Sequence, residues 1–202
     1  MFALTPRLKQ LTLPLLALTM LFGLSGCGIN NIPSYDEEAK AAWSQVLNQY
    51  KRRSDLIPNL VNTVKGYAGH EKEVLIGVTE ARSKVSQMKL PKDVLTNPEA
   101  FKSFQQNQDA LSSSLARLMV VVERYPALKA NQNFLALQSQ LEGTENRISV
   151  ARRDYILAVK NYNTEIRTFP GRIWHSMLYS EMELMENFTV SEAETQTPEV
   201  KF

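Results

Sequence analysis

Residues 50–61 read YKRRSDLIPNLV, and the fold turns on what Pro58 does in the middle of them. The flanking chain carries a helical stripe of apolar and aromatic residues: Ala39, Trp43, Val46, Tyr50, Ile57, Leu60, Val64, Tyr67, Val74, Val78 and Val85. Tyr50, Ile57 and Val64 fall seven residues apart, two helical turns each, so the stripe keeps its phase across the proline. A loop there would reset that phase. The favoured reading is one long helix over 35–89, about 80 Å at 1.5 Å per residue, bent where Pro58 removes an amide and its ring crowds the preceding turn. The competing reading makes Asp55 an N-cap and places Pro58 in a new first turn, where no amide partner is needed. In both, the helix stops at Leu90-Pro91, because a residue before proline avoids helical dihedrals.

Outward from this stretch the chain stays helical. Asn97-Pro98-Glu99 supplies a cap, a first-turn proline and a first-turn acid. Phe101, Phe104, Gln108, Leu111, Leu115, Leu118, Val122 and Tyr125 follow at spacings of three and four, and Pro126 ends the pattern. A third stripe starts after Asn131 and runs through Phe134, Gln138, Leu141, Glu145, Ile148, Arg152, Tyr155, Val159, Tyr162, Ile166 and Phe169 to Pro170-Gly171. No segment alternates as a strand over a useful length. The expected fold is all-α: an antiparallel up-down bundle over 35–171, built of three long helices plus a shorter C-terminal one. That fourth segment is the Met-rich stretch 172–188, RIWHSMLYSEMELMENF. It reads either as a helix closing the bundle, with Met filling gaps, or as a surface helix for a partner or membrane. Residues 189–202 are polar and acidic and read as a flexible tail.

The first 26 residues read as a targeting segment. Arg7 and Lys9 form a basic start, Leu11 to Leu24 an apolar run, and Leu24-Ser25-Gly26 the small residues of a cleavage site. The run is short for a membrane span. Cys27, the only cysteine, follows at once. LSGC resembles a bacterial lipoprotein lipobox, which implies a lipoprotein signal peptide over 1–26, lipidation of Cys27 and a tether over 27–34; the competing readings are an uncleaved anchor and an ordinary secretory signal. Gly28 rather than Asp after the cysteine is the pattern of outer-membrane sorting, facing the periplasm, in Gram-negative cells. Lys+Arg number 23 and Asp+Glu 21, so removing Arg7 and Lys9 leaves 21 of each and a neutral chain. That balance speaks against nucleic acid as a partner.

Two blocks carry a further resemblance. AWSQVLNQYKRRSDLIPNLVNTVKGYAGHEKEVLIGVTEAR (42–82) and YPALKANQNFLALQSQLEGTENRISVARRDYILAVKNYNTEIRTFPG (125–171) resemble the two signatures of the LemA family, and PEVKF (198–202) resembles its tail motif. The resemblance implies an antiparallel helical bundle at the cell envelope without established enzymatic activity. The chain departs from the family pattern where many members carry an N-terminal membrane span, and in the Met and acid content of residues 174–188.

The residues offer little catalytic chemistry. His70-Glu71 opens HEKEV, which is not H-E-x-x-H because Val occupies position 74. His175 lies in another segment, and two histidines make no usual three-ligand zinc site without carboxylates. Ser112-Ser113-Ser114 has no flanking glycine and sits mid-helix. No cofactor is expected. More informative are polar residues on apolar stripes: Arg53 on the edge of the first, Gln108 on the second, Glu145 and Arg152 on the third. Buried charge needs partners. These residues, with Asp55, read as a structural polar layer in which Arg53 pairs with an acid of the third helix, Glu145 first. The functional expectation is a non-enzymatic, lipid-anchored bundle that binds or organises envelope partners. The alternative is an envelope ligand-binding or hydrolytic protein using Arg53, Glu145 and Arg152.

Overall fold

The computed structural model describes residues 28–189. The expectations for the leader, for Cys27 and for nearly all of the tail lie outside the described residues. Six helices make up the rest: α1 Asn31–Tyr67, α2 Lys72–Gln87, α3 Pro98–Val122, α4 Pro126–Lys129, α5 Gln132–Arg167 and α6 Gly171–Leu178. Side-chain pairs give the directions. Asn31 meets Glu165, Arg53 meets Glu145 and Tyr67 meets Asn131, so α1 and α5 run antiparallel along their whole length. Arg82 and Ser86 of α2 lie against Ser54, and Glu71 lies against Arg124 and Tyr125 beyond the end of α3. The α1, α2, α3 and α5 helices therefore alternate in direction.

The caps follow the sequence. Asn97 Oδ1 accepts from the Ala100 amide at 3.0 Å, with Pro98 in the first turn, and Asn131 Oδ1 accepts from the Phe134 amide at 3.0 Å. The seven-residue stripe also holds: Tyr50, Ile57 and Val64 are all buried on one face of an unbroken α1.

Pro58 is thus neither a start nor a stop. It sits inside α1 and leaves the carbonyl of Ser54, four residues earlier, without its helical donor. That carbonyl is taken by another helix: Arg82 Nε of α2 donates to Ser54 O at 3.3 Å. Ser54 Oγ meets Ser86 Oγ at 3.2 Å beside it. The gap opened by the proline becomes a docking point for α2, and a backbone acceptor is satisfied in the process.

Three expectations need correction. The first helix does not run to residue 89. It ends at Tyr67, turns through 68–71 and folds back as α2. Gly66 and Gly69 weaken the helix at this point. Folding back buries Leu75 and Val78 beside Leu60 and Val64, burial that a solitary 55-residue rod would forgo. There is also no tether over 28–34. Asn31 opens α1, its amide donating to Gly28 O at 3.0 Å, and Ile32 is fully buried. Pro33 is compatible because it sits in the first turn, where amides have no helical partner.

The third correction concerns 172–188. Helix α6 ends at Leu178, and residues 182–189 run without helix as a strap over the bundle. Its backbone is held by side chains of α5. Asn163 both donates to Met185 O at 2.8 Å and accepts from the Met185 amide at 2.9 Å, standing in for a peptide partner. Tyr162 Oη donates to Glu183 O and Tyr155 Oη to Glu186 O, at 2.9 and 2.8 Å. The Glu186 amide donates to Leu95 O at 2.7 Å. Met185 and Phe188 are buried, and Phe188 joins Trp43, Phe101 and Tyr155 in one aromatic cluster with ring centroids 5.1–6.1 Å from it.

Two outcomes are expected. If Arg82 replaces the donor that Pro58 lacks, the two residues are coupled. Pro58→Ala should stabilise the protein by about 1–3 kcal/mol, and Arg82→Ala should cost about 1 kcal/mol in the parent but clearly less beside Pro58→Ala. Denaturant unfolding of the four proteins checks this, and strictly additive effects would remove the coupling. The second concerns alkali. Burial pushes the Tyr162 hydroxyl up to about 12, with the Asp36 and Glu183 carboxylates adding to it, and burial raises Tyr155 as well. A phenol whose folded pKa is raised stabilises the fold below its unfolded value near 10, and that contribution is lost as pH climbs through the folded value. The strap should therefore loosen between about pH 10 and 12. Amide exchange at 183–188 followed beside tyrosinate absorbance checks it, and should show strap release tracking ionisation.

Candidate functional site

The central polar feature of the bundle is the Arg53 guanidinium, whose side chain is only 1% exposed. Helix α1 places it one turn before Ile57, and α3 and α5 bring its partners. Arg53 Nη2 donates to Gln108 Oε1 at 2.7 Å and to the Gln108 carbonyl at 3.2 Å. Nη1 donates to Ser112 Oγ at 2.8 Å and to Glu145 Oε1 at 3.2 Å. The Tyr50 ring lies 5.0 Å from the guanidinium carbon, within cation–π reach. Nε alone, among the guanidinium nitrogens, has no hydrogen-bond partner.

This layer divides the interior. On one side lies a core of Ile32, Trp43, Tyr50, Phe101, Phe104, Ile148, Tyr155, Tyr162 and the strap residues Met185 and Phe188. On the other lies a core of Ile57, Leu60, Val64, Leu75, Val78, Leu111, Leu118, Phe134 and Leu141. Each long helix crosses the boundary at a polar residue: α1 at Arg53, α3 at Gln108, α5 at Thr144 and Glu145. The charge sits where no apolar side chain is interrupted.

The structure distributes the expected residues unevenly. Arg53, Gln108 and Glu145 come together, with Glu145 at the rim, its side chain 42% exposed. Asp55 does not join them. It pairs with Lys51 at 3.0 Å on the solvent face, 56% exposed, because a residue two positions after Arg53 lies on a different side of the helix. Arg152 lies one layer away, its guanidinium carbon 4.3 Å over the Phe188 ring. It still contributes to the layer's field: burial raises the Tyr50 hydroxyl pKa, while Arg152 and then Arg53 pull it down. Ser112 is the partner that sequence reading passed over. It stands four residues after Gln108 and donates to the Gln108 carbonyl at 3.1 Å, and that spacing from Gln108 was the available signal.

Chemically the layer is occupied with itself. The donors that Arg53 turns on α3 and α5 are spent on Gln108, Ser112 and Glu145, and Ser112 and Glu145 form the solvent-facing rim. The adjacent spaces are open grooves: about 300 Å³ lined by Tyr50, Ser54, Ser86 and Gln108, and about 410 Å³ lined by Met119, Leu141, Glu142 and Glu145. His70 is exposed and His175 Nε2 meets Met182 O at 2.8 Å, anchoring the start of the strap. Among the described residues no group of three or more His, Cys, Asp or Glu side chains is arranged to hold a metal ion.

Fold and layer together define an all-helical bundle knitted by a buried arginine. The LemA family profile matches residues 42–202, most of the chain, and the protein belongs to the LemA family. Protein LemA of Metamycoplasma hominis is 28% identical over 140 residues, covering 69% of this chain and 60% of that protein. Magnetosome protein MamQ 2 of Paramagnetospirillum magneticum is 27% identical over 153 residues, 68% of this chain and 56% of its own length. Magnetosome protein MamQ of Magnetospirillum gryphiswaldense is 23% identical over 150 residues, 66% and 55% respectively. The matched regions thus span less than two thirds of these relatives.

The geometry ranks the layer's members. Gln108→Leu removes the Oε1 acceptor from a fully buried cation while the residue-108 carbonyl stays in place, and should cost about 2–3 kcal/mol. Glu145→Ala removes a half-exposed partner while Ser112 and Gln108 remain, and should cost about 1–2 kcal/mol. Glu142→Ala, which removes an exposed carboxylate that meets Gln138, should stay within about 0.5 kcal/mol. Chemical unfolding of the three variants checks the order; equal small shifts would reduce the layer to a surface ion pair.

Proposed function

We propose that this protein is a lipid-anchored member of the bacterial envelope that works without catalysis, as a rigid helical post which binds or organises partner proteins. Membership of the LemA family supports the coarse part of this reading, an envelope-associated, non-enzymatic protein. The observation that carries the rest is the placement of Leu24-Ser25-Gly26-Cys27 directly before a closed bundle. An acyl-bearing Cys27 supplies attachment, since each buried methylene contributes about 0.8 kcal/mol. The interior supplies stiffness rather than chemistry, because Arg53, the buried cation among the described residues, is committed to structural partners. Gly28, following the cysteine, fits outer-membrane retention in a Gram-negative host. The reading of the layer as a ligand or hydrolytic site is less supported, because Gln108 and Glu145, which border open grooves, are already committed to Arg53.

Mutation of the cysteine tests the anchor. Cys27→Ala should either leave the leader uncleaved or release the processed chain from membranes, as followed by membrane fractionation and intact mass. Normal processing with unchanged membrane extraction would remove the lipoprotein reading. Crosslinking in membranes followed by recovery of the wild-type chain tests the second half. Recovery of a small molecule and no protein neighbour would favour the ligand-binding alternative.

A further inference from the structure

We propose that helix α6, with Phe169 before it, forms a second membrane contact that lies in the lipid interface beside the acylated Cys27. The inference rests on the anchoring reading above and extends it to a surface.

The first observation is distance. Gly28 is packed into the bundle: it adopts φ +97, accepts the Asn31 amide and sits beside Pro170, where a Cβ on Gly28 would come 3.8 Å from the proline ring. Cys27 is its covalent neighbour, so the two Cα atoms are about 3.8 Å apart. An acyl group on Cys27 is therefore tethered within about the length of one side chain and its linker of this corner. Whatever surface holds the lipid must approach the Pro170 corner closely, and α6 starts one residue later.

The second observation is what α6 shows there. Phe169 is 82% exposed and Met177 69% exposed, with Ile173 and Leu178 also open. Phe169, Ile173 and Met177 are spaced by four. The helix turns its other side inward, where Trp174 packs against the core that holds Phe188. Gly171 fixes the close approach to α5, since a Cβ there would fall 2.2 Å from the Glu165 carbonyl oxygen. So the apolar face is presented by a docked helix, not by a loose end.

The third observation is charge. Helix α6 contains no acidic residue, and exposed Arg167 and Arg172 bracket the Phe169–Gly171 corner. Of the nearby acids, Glu165 lies against Gly171 but accepts from Asn31, and exposed Glu181 and Glu183 follow after the helix. A short helix with an apolar face and guanidinium flanks suits the boundary of acyl chains and anionic headgroups. On its own about 12 Å of helix would bind weakly; beside a covalent lipid it need only be held in place.

The test uses the full chain, processed and reconstituted into vesicles of phosphatidylethanolamine and phosphatidylglycerol. With Cys27 acylated no native thiol remains, so Ile173→Cys and Met177→Cys each give a single site for an environment-sensitive fluorophore. Leu135→Cys, near the opposite end of the bundle, is the control. Nitroxide on the lipid acyl chains should quench the probes at 173 and 177 several-fold more than the probe at 135, and aqueous iodide should show the reverse. Iodide quenching at 177 equal to that at 135 would overturn the inference. So would shielding from both quenchers, which marks a protein cover such as a second copy. Intact mass of the same samples separates the two readings. An unmodified Cys27 sinks the anchor and this inference together, whereas an acylated chain with a water-exposed probe sinks this inference alone.

Discussion

A guanidinium closed off from water is the constraint around which the rest of this bundle is arranged. Arg53 needs acceptors, and it finds them on two other helices at heights set by Gln108, Ser112 and Glu145. A one-turn slide that brought Phe104 of α3 or Leu141 of α5 up to the guanidinium would leave a buried cation short of acceptors. Apolar stripes alone are poor at fixing height, because neighbouring turns of Leu and Val are nearly interchangeable. The charged layer breaks that equivalence. Its net contribution to stability is modest, since desolvation offsets much of the attraction; its effect on register is large.

Pro58 acts in the same way one turn further on. A proline inside a helix is normally a cost, through a lost hydrogen bond and a crowded ring. Here the freed Ser54 carbonyl becomes the acceptor for Arg82, so α2 is tied to α1 at a point that no all-helical backbone would offer. The three basic residues before Pro58 then sort by direction. Lys51 and Arg52 face solvent, Lys51 holding Asp55, while Arg53 turns inward. The strap uses the complementary device: Asn163, Tyr155 and Tyr162 lend side-chain groups to a backbone that has no strand or helix to pair with.

How much of this was legible varies with the range of the signal. The helical class, the caps at Asn97 and Asn131, the continuity through Pro58 and the meeting of Arg53 with Glu145 followed from spacing, because each depends on residues a few positions apart or on the phase of a stripe. The hairpin at 68–71 did not. The apolar residues of α2 happen to continue the phase of α1, and only two glycines hinted that the chain turned back. The strap was hidden for a different reason. Met182, Met185 and Phe188 recur every third residue, which a helix also approximates, and the partners that hold them extended lie twenty or more residues away on α5. Asp55 was misplaced because one-dimensional proximity to Arg53 suggested common burial, while helix geometry sends the two side chains to different faces.

The division of the interior by Arg53 has a consequence for how the molecule comes apart. The buried apolar residues fall into two clusters, one on each side of the charged layer. Helix α2 belongs to the cluster at the Tyr67 end, and the strap to the other. Local opening is therefore expected to follow this boundary: the α2 end frays as one cooperative block while the aromatic end, clasped by Phe188, stays shut. A bundle that looks continuous should thus open as two foldons in series, joined by α1 and α5, with the end farther from the candidate anchor opening first.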